Sequence, residues 1–348
     1  MTDGGTDMSQ PSGPDVGVHW RRPDADLAFG PTVPGPRDID RAAVLIRETE
    51  PPSPLVMSGA LSRRYSRSVY LKLESLSPIR SFKHRGALTA VDRIRREHGD
   101  VGVVTASTGN HGQGVAYAGR RAGIETTVLA PRDALAEKLD AMRALGAEVE
   151  IWGETLAEAQ QRAAAIAAER GWVYLEDGED PALMAGAATV MREILDQLPG
   201  VGSVIVPVGG GNLIAGCLLA LEQSEPAPAI VGVQSAAAPS ATDSWLAGAV
   251  RERPCRTFAG GLATDRPGTL ALDVMTRRLE TMVLVTESDL HSAIALGVLE
   301  AGCLMEGAAA APLAALETRG GEIPGDPLVL VVTGSWLSPR QLADAFDR

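Results

Sequence analysis

A regular alternation of short apolar runs with helical stretches constrains this chain more than any other feature. "SVYLKLE", "VGVVTAS", "ETTVLAP", "EVEIW", "WVYLE", "SVIVPVGGG", "AIVGVQS", "TMVLVTE" and "PLVLVVTGS" are rich in Val, Ile and Leu, and most lack strict polar alternation. Such runs predict strands buried on both faces of a sheet. Helical patterns lie between them. "DIDRAAVLIRETE" opens one, with Ile39 and Asp40 at its mouth. "HRGALTAVDRIRRE" puts Ala87, Val91 and Ile94 on one face, and Gly123 closes "GQGVAYAGRRAG". Gly146 is placed to cap "ALAEKLDAMRALGA", an Ala-rich helix runs from about Thr155 to Arg170, another covers 182–197, and a later one is capped near Ser288. This order predicts an α/β architecture of two open, twisted, mostly parallel lobes. Residues 38–101 and 182–348 make a larger domain, and residues 102–181 a smaller one. Residues 1–37 carry too much Pro, Gly and Asp to pack and are expected to form a flexible extension.

Composition narrows the function. The formal net charge is -12 and no basic run is long enough to follow a phosphate backbone, which argues against nucleic acid and anionic membranes. No apolar run reaches membrane-spanning length, and the polar start does not resemble a signal peptide. Cys217, Cys255 and Cys303 are widely spaced, without CxxC. That pattern suits a reducing, cytoplasmic setting and gives no structural zinc site.

In open α/β sheets, ligands sit past the carboxyl ends of the strands. Three such loops stand out. "TASTGNHGQG" crowds Ser107, Thr108, Asn110 and His111 at a helix start, where hydroxyls and free N–H groups suit a carboxylate. A plain capped helix start reads the same way. "VPVGGGNLIAG" offers backbone N–H groups at Gly209, Gly210, Gly211 and Asn212 that can curl around a phosphate. It is neither GxGxxG nor a Walker A loop, and its simpler reading is a tight turn. Asn110 and Asn212 are the chain's only asparagines, one in each loop. The third loop is "SFKHRG". Lys72, Lys83 and Lys138 are the only lysines among 32 Lys and Arg. Lys72 and Lys138 read as solvated surface cations. Lys83, beside Phe82 and among Arg80, His84 and Arg85, sits where neighbouring cations and burial favour a free amine, which arginine cannot supply. An amine nucleophile, a phosphate cradle and a carboxylate loop together describe a pyridoxal phosphate site acting on an amino acid.

Those motifs, with "KLDAMRALGAEV", "TFAGGLA", "EGAAAAPLAAL" and "VVTGS", fall in the order and spacing of the tryptophan-synthase-β-like (fold type II) pyridoxal phosphate enzymes. From about residue 38 to 340 the chain resembles their threonine/serine dehydratase and serine racemase branch. The resemblance implies a cofactor site in the cleft between the lobes, the larger domain holding the cofactor and the smaller one the substrate. It implies Lys83 as the Schiff-base lysine, Phe82 beside the ring and Asn110 on the phenolic oxygen. Ser107, Thr108, Gly109 and His111 would hold the substrate carboxylate, and Gly209, Gly210, Gly211, Asn212 and Leu213 the phosphate. Thr333 matches the residue facing the pyridine nitrogen. Glu306 matches an acid near the ring, or serves only as a polar helix start. The implied reaction is β-elimination from a β-hydroxy amino acid, giving a 2-oxo acid and ammonia. Thr108 stands where a serine serves as second base in racemases, so racemisation stays open. β-Replacement and a non-catalytic binding relative are the other readings. A homodimer is the family expectation.

Several residues depart from the branch. Arg80 replaces the usual glycine before Ser-Phe-Lys, and Gly260 replaces a common aspartate. Together they raise the possibility of a substrate with a second anionic group, against the simpler reading that Arg80 pairs with a local carboxylate or the cofactor phosphate. Gln234, Ala238 and Ser240 stand where relatives hold a divalent metal, and one amide does not replace two carboxylates. No metal is expected. The chain ends near the end of the catalytic domain, with no regulatory domain expected after it.

Overall fold

Each of these apolar runs becomes a strand in a computed structural model, which describes residues 16–23, 32–222 and 224–347. The strands are β1 Val18–Trp20, β2 Leu55–Met57, β3 Val69–Leu73, β4 Val103–Ala106, β5 Thr126–Ala130, β6 Glu148–Ile151, β7 Val173–Tyr174, β8 Ser203–Pro207, β9 Ala229–Ser235, β10 Thr281–Val285 and β11 Leu328–Val332. The helices are α1 Pro36–Thr49, α2 Gly59–Tyr65, α3 Lys83–His98, α4 Asn110–Ala122, α5 Ala136–Ala144, α6 Leu156–Arg170 and α7 Pro181–Gln197. They continue with α8 Asn212–Ala220, α9 Ser240–Ala247, α10 Thr269–Arg278, α11 Glu287–Leu299, α12 Gly307–Arg319 and α13 Pro339–Phe346.

Two sheets result. The larger has the order β1-β10-β9-β8-β11-β3-β2, parallel inside and antiparallel only at its two edge strands. The smaller, β6-β5-β4-β7, is parallel throughout. Strand parity explains the apolar runs of the larger sheet. Val204 and Val206 of β8 join Met184, Ile214 and Met275 in a core on one face. Ile205 between them joins Leu290, Ile294 and Leu313 on the other. Both faces are covered, so alternation with polar residues is absent.

The structure changes three expectations. Val18–Trp20, within the supposed extension, is a strand paired with β10 in the register Val18 to Val283; residues 1–15 and 24–31 of that extension lie outside the described residues. The cap of α11 is Thr286, whose hydroxyl accepts from Asp289 N while the Asp289 carboxylate accepts from Thr286 N, and Ser288 lies inside the first turn. Lys72 is not a surface cation. It is fully buried, because its place on β3 turns it toward α7, opposite to Val69 and Leu71. Its Nζ donates to Glu193 Oε2 at 2.6 Å, to the Ser53 carbonyl at 2.8 Å and to Gln197 Oε1 at 2.8 Å.

Beside Lys72 lies Arg85, also buried. Its guanidinium forks onto Glu74 (2.8 and 3.0 Å) and onto Glu193 (2.7 and 2.9 Å). Two cations and two carboxylates thus form a buried, formally neutral quartet joining β3, α3 and α7. Burial alone would raise both carboxyls, yet Arg85 and Lys72 hold Glu74 and Glu193 below the ordinary carboxylate range.

Removing one partner leaves a buried charge uncompensated. Arg85→Met should lower the unfolding free energy in urea by about 3–5 kcal/mol. The quartet also sets an acid dependence. Because both native carboxyl values are depressed, their contribution is full above the unfolded value of about 4.3 and is lost as pH falls through the native ones. The urea midpoint should fall on acidification below that value, and fall less steeply in Glu74→Gln.

Candidate active site

The carboxyl ends of β3, β4, β7, β8 and β11 are followed by Lys83, Ser107, Asp177, Gly209 and Thr333. Two sheets therefore contribute to one cleft. Lys83 is the first residue of α3, and its place is fixed from several sides. Phe82 N donates to the Thr333 carbonyl at 3.1 Å and Ser81 pairs with Gly334. A Cβ on Gly114 would lie 2.9 Å from the Lys83 carbonyl oxygen, so only glycine lets α4 approach α3 this closely. The Lys83 Nζ stands 5.5 Å from the centre of the Phe82 ring.

The carboxylate loop follows β4. Ser107 Oγ accepts from Gly109 N at 3.1 Å and Ser107 N donates to Leu129 O, which shapes the turn before α4. Thr108 is exposed at its tip. Asn110 opens α4 and donates through Nδ2 to Glu306 Oε1 at 2.8 Å, a bond between the two halves of the cleft. Glu306 is buried and also accepts from Trp336 N. Burial raises its carboxyl above the ordinary range, although Lys138, Asn110 and Trp336 oppose the shift.

Across the cleft, Gly211 caps α8 at φ +94°, a left-handed conformation that favours glycine. A Cβ on Gly209 would press into the Gly261 carbonyl oxygen. Gly210 is tied by its carbonyl, which accepts from Gly268 N at 2.9 Å. Asn212 and Leu213 form the buried first turn of α8, whose leading N–H groups have no intrahelical partner. Three buried oxygens in the expected cofactor residues also lack a hydrogen-bond partner in the chain: Asn110 Oδ1, Asn212 Oδ1 and Thr333 Oγ1. Buried polar atoms are normally bonded. Their grouping beside Lys83 and a glycine-lined helix mouth fits a bound phosphorylated pyridine aldehyde.

The sequence reading missed Asp177. Its carboxylate takes Lys83 Nζ at 2.7 Å (Oδ1) and 2.6 Å (Oδ2). Partial burial pushes its pKa up, but the Lys83 ammonium outweighs that and holds it at about 2. The available signal was acid in "LEDGEDP" directly after a strand, which resembles a solvated run. His111 is buried. Its Nε2 lies 3.1 Å from Thr105 Oγ1 and 3.4 Å from Leu175 O. Thr105 Oγ1 already donates to Leu175 O, so His111 Nε2 is the donor and Nδ1 keeps a lone pair. That lone pair has no partner and lies 3.7 Å from Asp177 Oδ1. Burial keeps His111 below its ordinary pKa. With its N–H committed to Thr105, His111 faces the Lys83–Asp177 pair and offers no N–H to a substrate carboxylate.

Arg80 has φ +58°, which explains why glycine suits that position. Its guanidinium bonds Ser335 O at 2.6 Å and Ser335 Oγ at 3.3 Å and covers the Trp336 ring at 4.5 Å. Its partners are thus a carbonyl, a hydroxyl and an indole, not a local carboxylate. Gly260 faces open space. Lys138 is half-buried, its Nζ 3.0 Å from where a Cβ on Gly109 would stand, so it leans on the carboxylate loop instead of extending into water. Gln234 accepts from Thr242 N and Oγ1, and Ser240 donates to Thr264 O.

Comparison with known proteins agrees with this geometry. Residues 46–334 match the family described as pyridoxal-phosphate dependent enzyme. The L-threonine ammonia-lyase of Geobacter sulfurreducens is 36% identical over 310 residues, 89% of this chain and 76% of that protein. That of Thermotoga maritima is 35% identical over 298 residues, covering 85% and 74%. The solved structure of the processed form of threonine deaminase isoform 2 from Solanum lycopersicum superposes with a TM-score of 0.83 at 31% identity, covering 95% of this chain and 98% of that one. With an amine at a helix start, a glycine-lined cradle and family likeness over most of its length, this chain belongs to the pyridoxal-phosphate dependent enzymes of fold type II and is a lyase among them.

Proposed function

We propose that the chain is a β-eliminating ammonia-lyase acting on a β-hydroxy amino acid such as threonine or serine, releasing a 2-oxo acid and ammonia. The observation that carries this reading is Thr333, a buried neutral hydroxyl without a partner, directly bonded through its carbonyl to Phe82 next to Lys83. Pyridoxal phosphate, when bound, supplies the electron sink that makes the substrate Cα–H acidic. A neutral hydroxyl at the pyridine nitrogen leaves that sink moderate, which favours loss of a β-substituent over amino-group transfer. The N–H groups at Gly209–Leu213 bind the phosphate. Ser107, Thr108 and Gly109 receive the substrate carboxylate, with Lys138 close to the same loop. Lys83 takes the Cα proton. The curated relatives named threonine ammonia-lyase support the substrate class.

In this reading residues 38–101 and 182–348 hold the cofactor and residues 102–181 the substrate carboxylate. The working form is a homodimer: β2 at one sheet edge leaves Val56 and Met57 exposed, apolar groups on an open strand edge that suit a second copy. The free thiols of Cys217, Cys255 and Cys303 suit a cytoplasmic setting. No helix among the described residues is long and apolar enough to cross a membrane.

Wild type is expected to show a visible cofactor band and to form 2-oxo acid and ammonia in equal amounts from threonine or serine. Lys83→Ala should lose the band and lower turnover by more than about a thousandfold. A wild type without the band, or one that consumes neither amino acid, overturns the reading. Gly209→Ala should raise the cofactor dissociation constant at least about tenfold, or 1.4 kcal/mol, measured by titrating the band.

A further inference from the structure

The Lys83–Asp177 pair is built, not incidental. Three neighbours fix the loop that carries Asp177. Glu179 accepts from Thr269 N at 3.0 Å and Thr269 Oγ1 at 2.7 Å, which ties the loop to the start of α10. Asp180 caps α7, accepting from Ala182 N at 2.8 Å, and pairs with Arg93 of α3. The Gly178 carbonyl packs so closely on Gly268 that a Cβ there would stand 2.7 Å from it. Between these anchors Asp177 turns both oxygens to Lys83, and the buried, unpartnered Nδ1 of His111 lies behind it. The carboxylate accepts the ammonium, and neither it nor the His111 lone pair donates a hydrogen. They offer nothing to an anion.

We propose that Asp177 is the positioning residue that receives Lys83 after a substrate amine has displaced it from the cofactor, and that holds it beside the substrate Cα. This rests on the lyase reading above for the displacement itself. In the step served, the Cα–H bond breaks, its electron pair stays with the cofactor-bound substrate, and its proton forms a new N–H bond on Lys83. The resulting ammonium carries one positive charge, which Asp177 balances inside the cleft. Without the carboxylate, the freed amine has no fixed partner, and the charge it gains is uncompensated. Substrate carboxylate and cofactor phosphate contacts lie on other loops, so binding is unaffected. Among the described residues the Asp177 carboxylate hydrogen-bonds Lys83, which makes its role one of orientation and charge.

The test uses holoenzyme and L-alanine, which displaces the lysine but has no β-leaving group. Two quantities are measured: the alanine concentration that half-saturates the change in the cofactor band, and the rate at which the alanine Cα–H exchanges in D2O, followed by NMR. Asp177→Asn is expected to bind alanine within about threefold of wild type. Its exchange should slow about ten- to a hundredfold, the rate equivalent of losing a hydrogen bond to a charged group. Asp177→Glu, which keeps a carboxylate, should recover part of the rate. Exchange in Asp177→Asn within about twofold of wild type overturns the proposal. So does loss of the cofactor band in both variants, which would make Asp177 a structural residue. The exchange needs no leaving group, so a wild type that exchanges alanine but forms no 2-oxo acid from threonine overturns the elimination reading and leaves this one standing.

Discussion

The double fork of Arg85 onto Glu74 and Glu193 is the interaction on which the catalytic geometry depends. Glu74 lies just past β3, Glu193 on α7, and Arg85 on the first turn of α3. One guanidinium therefore fixes the angle at which α3 leaves the larger sheet. Lys83 stands two residues before it, so the fork also fixes where the Lys83 backbone enters the cleft. Lysine would not serve at position 85, because a point charge does not define a plane. Such pairs add little net stability over apolar packing but are costly to break. Here the quartet serves orientation: its paired charges admit one arrangement of β3, α3 and α7.

Two sheets meeting at their carboxyl ends explain why the site is complete only in the whole chain. The larger sheet delivers Lys83, the glycine cradle and Thr333; the smaller delivers the Ser107–His111 loop and Asp177. Asn110 with Glu306 and Lys83 with Asp177 bridge the two sides of the cleft. Both involve residues expected at the cofactor or its lysine, and Glu179 with Thr269 and Asp180 with Arg93 add links outside the chemistry.

Much of this was legible from sequence. Apolar runs such as "PLVLVVTGS" gave their strands because both faces of the larger sheet are covered, and glycine runs after strands marked the cradle. Lysine scarcity pointed to Lys83. What was hidden depended on long-range partners. Lys72 reads as a surface cation until β3 is placed against α7 and Glu193 becomes its neighbour. Asp177 lies in an acidic run whose solvated reading is the commoner one, and only the fold brings Lys83 across to it. The orientation of His111 depends on Thr105 of β4 donating to Leu175 just past β7, a bond that no local pattern announces.

The buried position of Lys72 has a practical side. With Lys72 fully closed to solvent, the lysine amines that a dissolved reagent can reach are those of Lys83 and Lys138. Both belong to the cleft. An acylating probe applied to the folded, cofactor-free chain therefore samples the working amine and its neighbour, without the surface lysine background that a lysine-rich protein would give. No lysine stands on the open surface, so this protein can be footprinted at its own centre by amine chemistry.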